Sequence, residues 1–373
     1  MSKIHITLVG GQPAPVYHGI IATRPDKIVY IYSSESYKSL EVLLREIDIS
    51  SENIQLDAIL PLKIKQCAES LAEQYKNDEV TVNISGGLKS WSHWFGVIFD
   101  KYSNATVVYM DQNNVLWNYR TMKSSSDFEF DMHTLFRLYG NPLDNNFSEF
   151  ENYTKEDFKA VNEIEILRNV NIADFNKLTT VLDKEHSHLL RNSKTGTFTA
   201  GLSYVEWDKN IHQVKLGINR KGILKESILE SPHIMNIVFN AGWFETKVAK
   251  LLSGWSKAKK VCMNCRFPFK PNIDKNEVDI IVNTGIKILF VECKTQINNT
   301  TDIDKFRSVI KGYGGTGSKG LFVTDAKMTE IARAKCEEHG ILTFSLQDNH
   351  LGMSVDKALY VLLDTQLYNI NTK

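Results

Sequence analysis

Glu79-Val80-Thr81-Val82-Asn83-Ile84-Ser85-Gly86-Gly87-Leu88-Lys89-Ser90 sets the architecture of the first part of this 373-residue chain. A short run rich in β-branched residues ends in a double glycine, and the helical segment Lys89–Lys101 follows at once. The same unit recurs to either side. Strand-like Lys3–Val9 precedes helical Pro13–Ala22, and Lys27–Tyr32 precedes Ser36–Asp48, whose Leu40, Leu43, Leu44 and Ile47 form one apolar stripe. Ile54–Leu60 precedes Pro61–Lys76, with proline in the first helical turn. Ala105–Met110 reads as a further strand and Val115–Arg120 as a returning hairpin strand. Strands alternating with helices predict a mostly parallel sheet covered on both faces, a Rossmann-like α/β domain.

In an open parallel sheet, ligands bind beyond the carboxyl ends of the strands. Four such ends are polar or glycine-rich here: Gly10-Gly11-Gln12, Ser33-Ser34, Ser85-Gly86-Gly87 and Asp111-Gln112. Glycine admits close backbone approach, amides at a helix start attract anions, and Lys89 supplies a counter-charge for phosphate. The spacing matches neither a Walker loop nor a dinucleotide-binding G-x-G-x-x-G. A single Gly-Gly need be no more than a tight βα turn. Four polar ends on one edge predict an anion or nucleotide pocket. The run Asn83–Lys89 resembles the N-x-[ST]-G-G-[ST]-K element of CRISPR-associated Rossmann-fold (CARF) domains, with Leu88 where a hydroxyl residue is common. The resemblance covers about the first 120 residues and implies a sensor of cyclic oligoadenylate at a dimer interface.

The polar stretch over 121–150, with Ser124-Ser125-Ser126 and Gly140-Asn141-Pro142, marks a boundary. We expect a sensing domain over 1–140, a helical and hairpin linker region over 141–230, and a last domain over 231–373. In the linker region, Lys155–Arg168 and Ile172–Arg191 read as helices, and Gly196–Trp207 with His212–Ile218 as a hairpin. Beyond it come a helix over Ser231–Ser253 and strands at Lys260–Phe267, Glu277–Asn283 and Ile286–Lys294. A helix at Asp302–Ile310, a glycine loop at Gly312–Gly317, a strand at Gly320–Thr324, a helix at Ala326–His339 and a strand at Ile341–Ser345 complete an α+β pattern.

Within that last domain, Glu277-Val278-Asp279-Ile280-Ile281-Val282 turns at Asn283–Gly285 into Ile288-Leu289-Phe290-Val291-Glu292-Cys293-Lys294. Strand alternation puts Glu292 and Lys294 on one face and Cys293 on the other. A hairpin then returns Asp279 beside Glu292. Two carboxylates about 4 Å apart repel by about 4 kcal/mol at an effective dielectric near 20, so such a site calls for a divalent cation. Oxygen donors select Mg2+ or Mn2+ over zinc, and Lys294 can orient a water or offset developing charge. A solvated Glu292–Lys294 ion pair on an edge strand is the plainer alternative. Asp279…Glu292-Cys293-Lys294 resembles the PD-(D/E)xK nuclease core, with Val278 replacing the proline. Ala241-Gly242-Trp243-Phe244-Glu245 resembles the helix whose glutamate faces the same metal. The resemblance implies catalytic roles for Glu245, Asp279, Glu292 and Lys294, with the three carboxylates as metal ligands.

Other features say less. Trp255–Lys270 carries five basic and no acidic residues, with Trp255, Phe267 and Phe269 among them, and reads either as a nucleic-acid groove or as a basic edge over core aromatics. Lys305 is a candidate substrate contact. Cys262-x-x-Cys265 has no second pair at zinc-site spacing, so buried thiols are expected, and His186 and His188 read as surface residues.

The two halves together resemble the CARF-domain nucleases of type III CRISPR systems. That family implies a homodimer activated by cyclic tetra-adenylate and a metal-dependent endonuclease acting on DNA or RNA. Composition is compatible. The 44 basic and 44 acidic residues cancel, which argues against a protein that coats nucleic acid nonspecifically. The first 150 residues hold 13 basic and 18 acidic side chains, leaving the positive excess in the rest. Five sparse cysteines, no bilayer-length apolar run and no secretory leader point to a cytoplasmic protein without a membrane segment. Two rivals remain: a nucleotide sensor that binds nucleic acid or a partner without cutting, and a restriction- or repair-type nuclease whose Rossmann half is structural.

Overall fold

The computed structural model describes residues 1–56, 59–111, 114–125, 131–184, 193–239, 241–270, 273–285, 287–297, 300–314 and 318–370. In the first part, β1 (Lys3–Leu8), α1 (Pro13–Thr23), β2 (Lys27–Tyr32), α2 (Tyr37–Glu46), β3 (Ser51–Gln55), α3 (Pro61–Gln74), β4 (Glu79–Asn83), α4 (Lys89–Phe99) and β5 (Ala105–Met110) alternate as expected. The third strand comes earlier than the sequence suggested, because Leu56 is its last core contact and the chain then leaves the sheet. β6 (Leu116–Asn118) and β7 (Lys123–Ser125) return antiparallel and complete a sheet in the order β3-β2-β1-β4-β5-β6-β7. The first five strands are parallel, and the order reverses direction between β1 and β4. One face packs α3 and α4 through Ile64, Leu71, Trp91 and Phe95, and the other packs α1 and α2 through Val16, Ile20, Leu40 and Leu43.

The expected loop over 121–150 is largely structural. Asp131 caps α5 (Met132–Leu138) by accepting from the Thr134 amide at 2.9 Å, and β8 (Ser148–Glu149) joins the edge of the last sheet. Helix α5 is only seven residues long, and it buries Met132, Leu135, Phe136 and Leu138 between the two halves. Phe136 meets Phe267 edge-on at 5.0 Å and Phe290 at 5.9 Å, so one apolar core runs from α1 and α2 into the C-terminal sheet. Arg137 adds a two-pronged bond to Glu46. Phe136→Ala is expected to cost about 3–5 kcal/mol, read as a lowered thermal midpoint. A change under about 1 kcal/mol would show that the two halves do not share this core.

The middle region holds α6 (Lys155–Val170), α7 (Ile172–Lys184) and a four-stranded antiparallel meander. Its strands are β9 (Thr195–Ala200), β10 (Ser203–Asp208), β11 (Gln213–Arg220) and β12 (Ile223–Glu230). The segment expected as one strand, Gly196–Trp207, is two strands folded at Gly201, whose φ of +63° makes the turn. His186 and His188 lie outside the described residues.

The single helix expected over 231–253 is broken into α8 (Ile234–Val238) and α9 (Gly242–Ser253). Ala241 adopts φ +61°, and a Cβ on Gly242 would lie 2.1 Å from the Asn236 carbonyl oxygen, so only glycine fits this corner. β13 (Lys260–Lys270), β14 (Ile273–Asn283), β15 (Ile288–Lys294), α10 (Thr301–Tyr313), β16 (Ser318–Thr324), α11 (Glu330–Glu338), β17 (Leu342–Ser345) and α12 (Val355–Tyr368) follow. Their sheet runs β17-β16-β15-β14-β13-β8, parallel from β17 to β15 and antiparallel beyond. Helix α12, which the sequence reading passed over, buries Leu359, Leu363 and Leu367 against this domain. No helix of the described residues is long and apolar enough to cross a membrane.

Candidate active site and strand-end pocket

The β14–β15 hairpin forms as the turn residues imply. Ile280 pairs with Val291 and Asn283 with Ile288, and continuing that register by one residue sets Asp279 opposite Glu292. The Cys293 amide donates to Asp279 Oδ2 at 2.7 Å, which fastens the carboxylate to the neighbouring strand. Glu292 Oε1 and Lys294 Nζ are 2.8 Å apart on the same face, as alternation requires, while Cys293 is buried on the other. Lys294 ends its strand against the middle region. Its carbonyl accepts from the Asp325 amide at 3.3 Å, and Asp325 pairs at 3.0 Å with Arg168 of α6.

A feature of β13 decides where Asp279 points. The β13–β14 ladder pairs Met263 with Ile280 and Cys265 with Val278, leaving Asn264 and Asp279 unpaired between them. Asn264 is in the left-handed region at φ +54°. Across this skip the faces exchange: Met263 and Ile280 pack with Trp243 and Phe244 of α9, but Cys265 and Val278 pack with Phe136 and Phe290. Asp279 therefore opens on the α9 side, into a cavity of about 570 Å³ that it shares with Glu245, Glu277 and Lys294. Glu245 stands in the first turn of α9, carried there by the Gly242 corner. Glu292 does not line this cavity but is tied to Lys294 at its rim.

The electrostatics are those of a carboxylate cluster short of positive charge. Burial first, then the charge of Glu292, pushes the Asp279 carboxyl up to about 7, against the pull of Lys294 and the Cys293 amide. Burial and the charges of Asp279 and Glu277 hold the Glu245 carboxyl well above its ordinary range. Burial works to lower the Lys294 ammonium, but Asp279 and Glu292 outweigh it and raise it. Among the described residues, no three His, Cys, Asp or Glu side chains are grouped closely enough to hold a metal ion, and Glu292 is turned to Lys294. The donor chemistry, carboxylate oxygens that repel one another in a half-buried cleft, still fits a hard dication.

Sequence reasoning missed Glu277 and Tyr153 in this cavity, and Arg266, which also lines it, entered only as part of the basic stretch after Trp255. Glu277 was readable two residues before Asp279. Tyr153 was not, since it comes from the linker region with no local signal. The basic stretch after Trp255 is not an aromatic-lined groove: Trp255 and Phe267 are each 1% exposed and belong to the cores. Its lysines are partly engaged, Lys260 with Glu149 and Lys257 over the Tyr368 ring. The side chains of Phe269 and Lys270 lie outside the described residues. Lys305 is an exposed side chain near Asp302. Cys262 and Cys265 are buried free thiols, with Cys262 pushed up to about 12 mainly by burial.

In the N-terminal sheet, the strand order sets the ends of β2, β1, β4 and β5 side by side. Gly10 and Gly86–Gly87 meet at the β1/β4 switch point. A Cβ on Gly10 would lie 2.7 Å from the Gly87 nitrogen and one on Gly86 2.1 Å from the Leu8 carbonyl oxygen, while Gly87 has φ +71°. These glycines let the two loops pack backbone to backbone. Gly11 and Lys89 are exposed, and Leu88 does not cap α4 with a side chain, so the first amides of α4 carry no side-chain cap. In α1, Pro13 and Pro15 have no N–H, and only the Ala14 amide is offered among the first three residues. Ser85 and Asp111 are partly committed elsewhere: Ser85 Oγ accepts from the Met110 amide, and Asp111 accepts from the Val115 amide and Trp117 Nε1. Gln112 lies outside the described residues. Ser33, whose amide donates to Ser36 Oγ at 2.9 Å, and Ser34 line an adjoining open depression of about 610 Å³ with Gln55, Leu56 and Lys63. Lys63 was overlooked, although it stands in the first turn of a helix after a fifth strand end.

No family model matches the chain, and no curated protein matches it. Solved structures do. Can2 from Sulfobacillus thermosulfidooxidans, in complex with cyclic tetra-adenylate, superposes with a TM-score of 0.66 at 15% identity over 98% of this chain and 99% of that one. Protein VC1899 from Vibrio cholerae gives 0.70 at 15% identity over 96% of each chain. A type III CRISPR defence DNA nuclease activated by cyclic oligoadenylate gives 0.56 at 14% identity, over 94% of this chain and 49% of that one. The chain thus has the fold of the CARF-domain nucleases, the architecture its two motifs implied.

Proposed function

We propose that this chain is a divalent-metal-dependent endonuclease, switched on by cyclic tetra-adenylate in type III CRISPR defence and working as a cytoplasmic homodimer. The division follows the sequence: a sensing half over 1–140, a connecting region over 141–230 and a nuclease half over 231–373. The observation that carries this reading is the cavity in which Glu245, Asp279 and Lys294 converge from three elements, α9, β14 and β15, with Glu292 on Lys294. The fold shared with Can2, solved with the cyclic nucleotide bound, supports the sensing half.

Glu245, Asp279 and Glu292 would hold a Mn2+ or Mg2+ ion. When bound, such a cation supplies Lewis acidity and neutralises phosphodiester charge. Asp279 is held for this task by the Cys293 amide, and Lys294 keeps its proton, so it orients the attacking water and offsets charge on the phosphorus oxygens. In the sensing half, Gly10, Gly11, Gln12, Ser33, Ser34, Ser85, Gly86, Gly87, Lys89 and Asp111 would face the cyclic oligoadenylate. Two-fold pairing presents two such pockets to one symmetric ring, and the ligand activates by preferring one arrangement of the distal halves.

Plasmid nicking with Mn2+, with and without cyclic tetra-adenylate, tests the proposal. Cutting that needs both supports it. Equal cutting without the nucleotide means a nuclease with a structural Rossmann half, and no cutting at all means a sensor without nuclease output. Lys89→Ala is expected to weaken nucleotide binding roughly tenfold or more, as loss of a hydrogen bond to a charged group does, with cleavage at saturating activator unchanged. Unaltered affinity in a direct binding titration would remove Lys89 from the pocket.

A further inference from the structure

The cavity beside the carboxylates has a second, chemically different wall. Asn264 stands at the ladder skip next to Asp279, Asn236 lies in the middle of the short helix before the Gly242 corner, and Asn146 comes from the segment leading into β8. All three line the cavity, and none of their carboxamides has a hydrogen-bond partner among the described residues. Tyr153 closes this wall. It is 8% exposed, its ring is stacked on His233 at 4.2 Å, and its phenol is pushed up to about 12, chiefly by burial, so it stays a neutral donor. His233 in turn is fixed by the buried Asp157 at 3.0 Å.

This wall is polar but uncharged. A phosphate would be better served by the cations at hand, Lys294 and Arg266. A carboxamide presents a donor and an acceptor in one plane, the pattern that matches the edge of a nucleobase. Asn264 also keeps a left-handed backbone that few side chains adopt readily. We infer that Asn264, Asn236 and Asn146, backed by Tyr153, form a base-reading subsite beside the scissile phosphodiester, making cleavage base-selective. The inference rests on the nuclease reading and adds a specificity to it. It also gives the region after residue 140 a part in the active site, since Asn146 and Tyr153 belong to it.

The test maps cut sites on an end-labelled mixed-sequence single-stranded oligonucleotide with Mn2+ and cyclic tetra-adenylate. The wild-type chain is expected to cut next to one base on the order of tenfold more often than next to the others. Asn264→Gly, which removes the carboxamide while tolerating φ +54°, and the surface change Asn236→Ala should each flatten that preference severalfold without lowering the thermal midpoint. Tyr153→Phe, which keeps the stack on His233, should raise KM more than it lowers kcat. Indifferent cutting by the wild-type chain, or an unchanged cut-site spectrum in both asparagine variants, overturns the base-reading subsite while leaving the nuclease intact. No cutting by the wild-type chain of this oligonucleotide, of its RNA counterpart or of plasmid overturns the nuclease reading and this inference with it.

Discussion

Glu292→Ala and Lys294→Ala are each expected to lower cleavage by on the order of a thousandfold or more, with cyclic tetra-adenylate binding unchanged. The two side chains are bonded to one another at 2.8 Å and sit at the mouth of the carboxylate cavity. Removing Glu292 takes away one of three proposed cation ligands and releases the ammonium from its partner. Removing Lys294 deletes a cation that offsets both Asp279 and Glu245. Neither change reaches the strand-end pocket of the N-terminal sheet, so the sensing half should titrate as in the wild type. Nicking rates under single-turnover conditions, beside a fluorescence binding titration, separate the two effects. Wild-type cleavage by Glu292→Ala would disprove the site.

Asp279→Asn is expected to do the opposite for stability. In the folded chain the Asp279 carboxyl is raised from 3.8 to about 7. A raised carboxyl binds more protons folded than unfolded between about pH 4 and pH 7, so its contribution to stability is fully present below the unfolded value and is lost as pH rises through the folded one. Above pH 7 the ionised, crowded carboxylate therefore works against the fold. Three pKa units set a ceiling of about 4 kcal/mol, and relaxation of a half-open cleft reduces it to on the order of 2 kcal/mol. The asparagine variant carries no such penalty and its side-chain oxygen can still accept from the Cys293 amide. In chelator at pH 8 it should melt several degrees above the wild type, and at pH 4 the difference should vanish. Added Mn2+ should stabilise the wild type and not the variant, because only a state that binds the ion gains from it. A variant that melts lower at pH 8 would mean that Asp279 serves the fold rather than a cation.

Most of the first sheet was legible because each strand–turn–helix unit states its own pattern, a short strand-like run, a connecting turn, then a helical segment. The β14–β15 hairpin was legible for the same reason, since its turn and both strands are contiguous. Helix α5 was not: it has seven residues among polar neighbours, and its burial comes from two surfaces distant in sequence. Helix α12 was overlooked for want of a motif. The break between α8 and α9 depends on the Asn236 carbonyl pressing on Gly242, a contact that helical periodicity does not register.

The sequence by itself named the proposed site residues, Glu245, Asp279, Glu292 and Lys294, and the glycines at the strand ends, because residue type and short spacing suffice to single them out. Only the tertiary structure decided that Asp279 opens toward α9, since a ladder that skips Asn264 and Asp279 reverses the faces beyond it and alternation cannot foresee the reversal. It also decided that Gly10, Gly86 and Gly87 serve the contact between two loops, and that Tyr153 and Asn146 cross from the connecting region into the cavity. Such juxtapositions arise from burial shared between segments more than 70 residues apart, and no local stretch carries the signal for them.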